Sequence, residues 1–390
     1  MTVDAALVDR VRATLARTSD PPTPARVAAV LRESGAVVGD QALLAVVGAV
    51  RSELSGLGPL EPLLADPAVT DVLVNGPDEV WVEDGQGLRR TPVTFRDRDS
   101  VVRLAQRLAS SAGRRLDTAC PTVDARLPDG VRLHAVLPPV APEGPLLSLR
   151  VARRRAFSLA ELERSGTVGS TMADVLRALV RRRLAFVVTG GTGSGKTTLL
   201  AALLGEVPRE ERIVLVEDSG ELAFPHPHVV RLEARHPNVE GAGGIGLQVL
   251  VRQALRMRPD RLVVGEVRGA EVVDLLAALN TGHEGGCGTV HANAPEVLPA
   301  RLEALALAAG LGRAALHSQL AAALTAVVHL ARGRDGRRLV TDVAVLDRTG
   351  DGCVRVLPAL CRDAHGGTAE AAGADRLHAL LDARSGAAWR

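Results

Sequence analysis

Residues 184–204 read LAFVVTGGTGSGKTTLLAALL, which is an apolar run, a glycine-rich turn and a second apolar run. Gly190, Gly195, Lys196 and Thr197 fit the pattern G-x4-G-K-[ST] of a loop that binds phosphate groups. Glycines let the backbone curl so that several N–H groups point at one anion, and the lysine can then reach the outer phosphates. A strand-like run before the loop and a helix-like run after it argue against a chance glycine-rich turn. The sequence therefore predicts a nucleotide-binding site.

The nucleotide expected at this loop is ATP with Mg²⁺. Backbone N–H groups and the positive N-terminal end of the following helix would hold the phosphates. The hydroxyl of Thr197 would bind the metal ion. The residues predicted to contact the nucleotide are Gly190, Gly191, Thr192, Gly193, Ser194, Gly195, Lys196, Thr197 and Thr198.

Two apolar segments downstream of the loop end in carboxylates. The run 214–216 (VLV) leads into Glu217, and the run 262–265 (LVVG) leads into Glu266. Hydrolysis needs a metal ion and an oriented water molecule in addition to bound phosphates. We expect Glu266 to bind Mg²⁺ with Thr197 and Glu217 to orient the attacking water, with an exposed strand-end carboxylate as the alternative for Glu217. Which glutamate acts as the base stays open.

The segment 281–293 (TGHEGGCGTVHAN) places His283 and His291 on either side of a glycine-rich turn. A lone histidine is more often structural, but two in this arrangement favour a role in sensing or positioning the terminal phosphate. A zinc site is the alternative, since Glu284 and Cys287 could supply ligands. Their spacing does not match a usual zinc finger, which argues against it.

Aromatic residues are scarce among the 390 residues, with no tyrosine, four phenylalanines and two tryptophans, and the net charge is +2. Proteins that bind nucleic acid directly use basic surfaces or stack bases on aromatic rings, so no direct contact with nucleic acid is expected. The four cysteines lack C-x-x-C spacing, which fits a reducing compartment. The sequence shows neither a signal-peptide core nor a transmembrane segment, so a cytoplasmic protein is expected.

Periodicity and composition predict five segments. Between about 166 and 345, helices alternate with apolar strands, which is typical of a mostly parallel sheet whose order the sequence does not reveal. The strands are expected at 184–189, 212–217, 228–233, 261–266, 287–292, 325–331 and 338–346. The segments are a helical extension (1–55), an α+β domain (56–151), a linker (152–165), an α/β nucleotide-binding domain (166–347) and a tail with little order beyond a short helix (348–390).

Four motifs resemble, in order and spacing, the signature boxes of the type II/type IV secretion ATPase superfamily. They are the Walker A loop at 190–197, the Asp box Glu217-Asp218-x-x-Glu221, the Walker B run 255–268 with Glu266, and the His box with His283 and His291. The upstream segment 123–132 is similar to the N-terminal domain of that family. The resemblance implies a RecA-like P-loop ATPase domain in the α/β class, preceded by a smaller, PAS-like α+β domain and a helical extension.

The same resemblance implies a homohexamer that holds nucleotide in the cleft between its two domains. Family members supply arginines from the N-terminal domain to the phosphates, and Arg126, Arg132 and Arg150 resemble those positions. Arg268 is a further candidate, and a structural salt bridge is the alternative for each arginine. The implied partner is a platform protein of the inner membrane, which would hold the ATPase at the inner face of the cell membrane.

The chain has no paired cysteines, unlike family branches that carry a tetracysteine zinc module. It most resembles the tight-adherence (Flp) pilus ATPases, the CpaF/TadA-like branch. The implied function is ATP hydrolysis that powers pilus assembly or protein secretion. A DNA-translocating motor of conjugation or competence is one alternative, and a nucleotide-gated scaffold with negligible turnover is another. The cargo stays open.

Overall fold

The computed structural model describes most of the chain in two compact units, Met1–Arg153 and Arg154–Arg390. The described residues are 14, 23–33, 46–47, 56–84, 87–151, 156–235, 237, 242–282, 284–333, 335–363 and 365–383. In the predicted N-terminal extension they include one helix, α1 (Pro24–Glu33), with Val27 and Leu31 buried. The other helical positions predicted before residue 56 lie largely outside the described residues.

The first unit contains a six-stranded antiparallel sheet in the order β3-β2-β1-β6-β5-β4. Its elements are a 3₁₀ turn (Gly58–Leu60), α2 (Glu61–Ala65), β1 (Asp71–Asn75), β2 (Val80–Glu83), β3 (Leu88–Arg90), α3 (Arg98–Ser111), β4 (Thr122–Arg126), β5 (Arg132–Val136) and β6 (Leu146–Arg150). Alternate residues are buried in every strand except the short, exposed β3, which leaves one face of the sheet for the core. The predicted α+β architecture is confirmed.

Helix α3 begins at an aspartate cap and covers the apolar face. The Asp97 side chain accepts a hydrogen bond from the Ser100 N–H at 2.7 Å, which satisfies one of the unpaired N–H groups of the first turn. Leu104 and Leu108 lie one helical turn apart and are buried with Val72 of β1 in a single core cluster.

The second unit contains a nine-stranded sheet in the order β15-β14-β13-β12-β7-β11-β10-β8-β9. Its strands are β7 (Phe186–Gly190), β8 (Ile213–Glu217), β9 (Val229–Glu233), β10 (Arg261–Val267), β11 (Cys287–His291), β12 (Ala326–Arg332), β13 (Arg338–Arg348), β14 (Val354–Arg362) and β15 (Thr368–Glu370). Its helices are α4 (Leu159–Arg164), α5 (Ser170–Arg181), α6 (Lys196–Leu204), α7 (Leu247–Ala254), α8 (Glu271–Leu279), α9 (Leu298–Ala308), α10 (Arg313–Ala323) and α11 (Ala374–Ala383), with 3₁₀ turns at Leu255–Met257 and Pro295–Val297.

The six neighbouring strands from β12 to β9 run parallel to one another. Strands β13, β14 and β15 continue the sheet beyond β12, and each pairs antiparallel with its neighbours. Successive residues of β7 alternate between two core clusters, with Phe186 in one and Val187 in the other. A strand buried on both faces needs an uninterrupted apolar run, which is the pattern that predicted these strands. All seven predicted strands are confirmed to within two residues at each end.

The predicted tail with little order at 348–390 is wrong for strands β14 and β15, which extend the large sheet. The short helix predicted near residues 375–383 is present as α11, and its Leu377 is fully buried in the core of the second unit. The glycines that suggested a disordered tail include Gly352 and Gly366, which both have φ of +83° in tight turns between antiparallel strands. They are turn residues of hairpins, where glycine adopts positive φ without strain.

The predicted linker at 152–165 is also wrong in its second half. Residues 159–164 form α4, whose Leu159 is fully buried in the core of the second unit. Ser158 and Glu161 form a capping box: the Ser158 Oγ accepts from the Glu161 N–H at 3.2 Å, and the Glu161 side chain accepts from the Ser158 N–H at 2.9 Å. A basic, polar composition concealed this S-x-x-E helix start.

No helix within the described residues combines the length and apolar character needed to cross a bilayer.

A buried ion pair lies where β10 begins, at the edge of the sheet opposite the carboxyl ends of the parallel strands. Arg261 is 1% exposed and donates to the Glu211 carboxylate at 2.5 Å and to the Val180 and Gly285 carbonyls at 2.7 and 3.3 Å. Arg183 also donates to Glu211, at 3.2 Å. This network joins α5, the segment before β8, the start of β10 and the turn before β11.

Replacing Glu211 with glutamine is expected to lower the free energy of unfolding by about 3 kcal/mol, because Arg261 would remain buried without its carboxylate. The exposed neighbour Glu210 provides the control, and Glu210→Gln should change stability by less than about 0.5 kcal/mol. Urea denaturation followed by circular dichroism measures both. Equal stabilities of the two variants would show that the ion pair contributes nothing.

Candidate nucleotide-binding site

The loop between β7 and α6 has the backbone conformation that its glycines predicted. Gly190 has φ of +153°, and a Cβ atom there would lie 2.5 Å from both the Leu330 carbonyl oxygen and the Ser194 Oγ. Gly195 has φ of +99° and is the N-cap residue of α6. A side chain at either position would be strained, so the tight curl of the loop depends on glycine.

The Lys196 ammonium group lies inside this curl, and the residue as a whole is 7% exposed. Its Nζ donates to the carbonyl oxygens of Gly190 at 3.0 Å and Gly191 at 2.9 Å, and it lies 3.3 Å from His291 Nδ1. Burial lowers the pKa of Lys196, and the negative charge of Glu266 opposes that shift. The loop therefore holds one compact positive charge where the phosphates are expected.

Neighbouring parallel strands bring three of the predicted residues together. His291 at the end of β11 pairs in register with Gly190 at the end of β7, and β10 lies on the other side of β11. Glu266 of β10 forms an ion pair with Arg268, and its Oε1 lies 2.6 Å from His291 Nε2. Lys196, His291 and Glu266 therefore form a continuous chain of contacts at the carboxyl edge of the sheet, where ligands of open α/β sheets bind.

The pKa of His291 is lowered, which favours the neutral form of its ring. Burial lowers its pKa, the positive charge of Lys196 lowers it further, and Glu266 acts in the opposite direction. A neutral ring facing Lys196 accepts that hydrogen bond at Nδ1 and so carries its proton on Nε2, towards Glu266; we assign this tautomer from the contacts. The imidazole thus connects the loop lysine to the strand-end carboxylate.

Glu217 is buried at the end of β8 and organises the segment after it. Its Oε1 accepts hydrogen bonds from the N–H groups of Glu221 at 2.9 Å and Leu222 at 2.8 Å, and its Oε2 lies 3.7 Å from Arg231. The alternative of an exposed strand-end carboxylate is excluded, since Glu217 is 4% exposed. A Cβ atom at Gly265 would lie 2.9 Å from the Glu217 Cγ, so glycine at 265 leaves room for this side chain.

The three N-terminal arginines form a row across neighbouring strands of the first unit. Arg126 of β4 pairs with Arg132 of β5, which pairs with Arg150 of β6. Arg150 donates to Asp71 Oδ1 at 3.0 Å. Cross-strand partners lie on the same face of a sheet, and here it is the face away from the core. Their approach to phosphate stays a prediction.

The structure places the other candidates as follows. Arg268 lies at the site, where its bond to Glu266 raises its pKa and Asp218 and Glu221 add negative charge nearby. His283 lies outside the described residues. Cys287 is buried, and burial raises its pKa to about 12.

One buried oxygen atom at the site fits the predicted nucleotide. Within the described part of the chain, Ser194 Oγ in the loop has no hydrogen-bond partner. Unsatisfied buried polar atoms are costly unless a ligand or ion completes them. Thr197, in the first turn of α6, supplies the hydroxyl expected at the metal ion.

The sequence did not predict two contacts that strands β12 and β13 make with the phosphate loop and the residue before it. Thr189, directly before the loop, places its Oγ1 2.8 Å from Nδ1 of the buried His329 on β12. Arg338 of β13 donates to the Gly193 carbonyl oxygen at 3.0 Å. No motif marks either position, because their contacts depend on strand order.

The fold and this site define a P-loop protein with a RecA-like ATPase domain. The chain belongs to the type II/IV secretion system protein family, whose sequence profile matches residues 53–371. This confirms the resemblance at the level of the family.

Named relatives agree with that assignment. A Mycobacterium tuberculosis protein named for conjugal transfer is 56% identical over 357 residues, covering 90% of this chain and 100% of its own. The type IV secretion system protein PtlH of Bordetella pertussis is 33% identical over 315 residues, covering 74% of this chain and 93% of its own. The pilus retraction motor PilT with bound ADP shares the fold, with a TM-score of 0.53 and 17% identity over 83% of this chain and 85% of its own.

Glu217→Gln should increase stability more at neutral pH than in acid. Burial raises the pKa of Glu217 above its ordinary value of 4.5, so the protonated carboxyl is favoured in the folded state. The stability that the protonated Glu217 carboxyl contributes is complete below pH 4.5 and is lost as the pH rises through its folded-state pKa. Glutamine stays neutral at every pH and still offers an oxygen to both N–H groups. Thermal unfolding of both proteins from pH 4 to pH 8 measures the difference, and a gap that widens towards acid would contradict the burial argument.

Proposed function

We propose that this protein hydrolyses ATP in a homohexameric ring and converts the energy into mechanical work on a type IV secretion, conjugal transfer or pilus-assembly machine. The observation that carries the proposal is the chain of contacts from Lys196 through His291 to Glu266 beside the phosphate loop. The names of the relatives in M. tuberculosis and B. pertussis support the secretion or transfer context.

ATP binding uses the loop and its lysine. The loop N–H groups and Lys196 Nζ would bind the phosphates, and Thr197 with Glu266 would hold Mg²⁺, which would supply positive charge to the transferred phosphoryl group. His291 Nδ1 faces Lys196 and its Nε2 faces Glu266, so a shift of either partner on phosphate binding reaches the other through the ring. This gives His291 the sensing role expected of the His box, with His283 as its predicted companion.

Glu217 is our candidate for orienting the attacking water. Its buried carboxylate has a raised pKa, which suits a base, and it lies at the edge of the sheet where β7 and β10 also end. Two N–H groups already occupy its Oε1, so Oε2 is the oxygen left for a water molecule beside Arg231. Glu266 remains the alternative base.

The N-terminal arginines are proposed to complete the site in the ring. A row of three guanidinium groups on the outer face of a sheet matches the need for positive charge around a γ-phosphate. Arg126, Arg132 and Arg150 would approach the phosphates as the ring closes, and phosphate release would reopen the cleft. Arg268, paired with Glu266, would exchange that partner for phosphate.

We further propose that the ring works in the cytoplasm, against a platform protein at the inner face of the cell membrane. On the motif resemblance, we prefer the tight-adherence pilus branch, in which the ring would power pilus assembly. The names of the conjugal transfer relatives favour DNA transfer as the second candidate. A net charge of +2 and few aromatic residues argue against direct contact with DNA.

ATPase activity should depend on Lys196, the only lysine in the chain. Lys196→Ala is expected to lower turnover at least about 100-fold, since it removes a charge that stabilises the transition state. Arg209→Ala, at an exposed position of the same unit, is the control and should turn over like the wild type. The rate of phosphate release measures turnover by the wild type and both variants. Unimpaired turnover by Lys196→Ala would show that this site does not carry out the reaction.

The same assay separates the candidate functions. Turnover by the hexamer but not by the monomer, indifferent to single-stranded and duplex DNA, supports a secretion or pilus motor. Strong stimulation by DNA supports a nucleic-acid translocase. Tight ATP binding without turnover by the assembled ring supports the nucleotide-gated scaffold.

Glu266→Gln and Glu217→Gln should affect different steps. Glu266→Gln is expected to raise the Mg²⁺ concentration needed for half-maximal turnover and to lower kcat, because it removes the metal-binding charge. Glu217→Gln should lower kcat by about 100-fold or more while leaving the Mg²⁺ dependence unchanged. Mg²⁺ titrations of steady-state turnover test this, and a Mg²⁺ defect confined to Glu217→Gln would reverse the two roles.

A further inference from the structure

The antiparallel strand β13 begins at the nucleotide edge of the sheet. Strands β7, β11 and β10 run parallel and end there, so an antiparallel strand on the same sheet must start there. A tight turn joins β12 to β13, in which the Gly333 N–H donates to the Arg337 carbonyl at 2.8 Å and Arg332 pairs with Arg338. This turn fixes Arg338 beside the phosphate loop.

Arg338 contacts the loop at two points. Its Nε donates to the carbonyl oxygen of Gly193 at 3.0 Å. Its Cδ would lie 3.4 Å from a Cβ atom at Gly195, so the aliphatic part of the side chain passes over that glycine in van der Waals contact.

The bond to Gly193 fixes the orientation of a peptide group that the nucleotide needs. In a trans peptide the C=O and the following N–H point in opposite directions. Because Arg338 holds the Gly193 oxygen on the outside of the loop, the Ser194 N–H points inwards, where it lies 3.4 Å from the Gly191 carbonyl oxygen. Inward N–H groups are the ones that bind phosphate in such loops.

We propose that Arg338 is a positioning residue for the phosphate loop, acting through the hydrogen bond from its Nε to the Gly193 carbonyl. The proposal rests on the proposed ATPase function and adds a residue that no loop motif contains. Arg338 keeps the Gly193–Ser194 peptide in the orientation that presents the Ser194 N–H to the phosphates, so the loop need not reorganise when ATP binds.

The expected effect falls on nucleotide affinity. An oriented N–H group binds ground state and transition state alike, so its loss raises KM for ATP and leaves kcat nearly unchanged. The expected rise in KM is about tenfold, the effect of losing one hydrogen bond that orders the loop. A guanidinium group that acted on the transferred phosphate would instead lower kcat.

Two variants separate the hydrogen bond from the charge. In Arg338→Gln the amide Nε2 is the fourth side-chain atom, as Nε is in arginine, so a donor is kept while the charge is lost. In Arg338→Met a methyl group takes that place, which keeps the packing over Gly195 and removes the donor. We expect Arg338→Gln to keep the wild-type KM and Arg338→Met to raise it about tenfold.

Arg332→Met is the matched control, because Arg332 is the exposed cross-strand partner of Arg338. It should leave KM and kcat unchanged. An unchanged KM in Arg338→Met, a raised KM in Arg338→Gln, or a loss confined to kcat would each overturn the proposal. If Arg338→Met does not fold, Arg338→Lys carries the test: its Nζ lies one atom beyond the position of Nε, so a raised KM is expected and a wild-type KM overturns the proposal.

Failure of the proposed function gives a different pattern. If wild-type protein and Lys196→Ala both lack turnover, the ATPase proposal fails, and the affinity of the same variants for a fluorescent ATP analogue still tests Arg338. If the wild type hydrolyses ATP and the Arg338 variants match Arg332→Met in KM, only the positioning role fails.

Discussion

The ammonium group of Lys196 inside the phosphate loop is the interaction on which the site depends. Lys196 is the only lysine among the 47 lysine and arginine residues, so arginine serves at every other basic position of the chain. The two carbonyl oxygens and the imidazole that surround Nζ lie within 3.3 Å of it and leave space for a compact charge. A planar guanidinium is larger and presents its donors in a fixed fork, which does not fit this geometry.

The parallel strands place further polar side chains beside that charge. They end at the same edge, which brings His291 into contact with both Glu266 and the lysine. The loop is also supported from the other side, where the Leu330 carbonyl lies against Gly190 and Arg338 holds Gly193. The strands that follow β12 are therefore part of the nucleotide site as well as of the core, and the misjudged C-terminal segment secures them by pairing with β13.

Local sequence patterns predicted most of the fold. Buried parallel strands contain uninterrupted apolar runs, so β7, β8 and β10 could be recognised from sequence. The loop glycines predicted their own backbone conformation. The errors arose where one composition fits two structures. Glycine-rich stretches mark hairpin turns as well as disorder, and a basic, polar stretch concealed the capped helix at Ser158.

The sequence alone determined the phosphate loop, the carboxylates at two strand ends and the family, because these depend on residues close together in the chain. Only the tertiary structure decided which side chains meet. The contact of His291 with Lys196 spans 95 residues and that of Arg338 with Gly193 spans 145, and both follow from the order and direction of strands. Strand order is set by packing of the whole sheet, which no local pattern records.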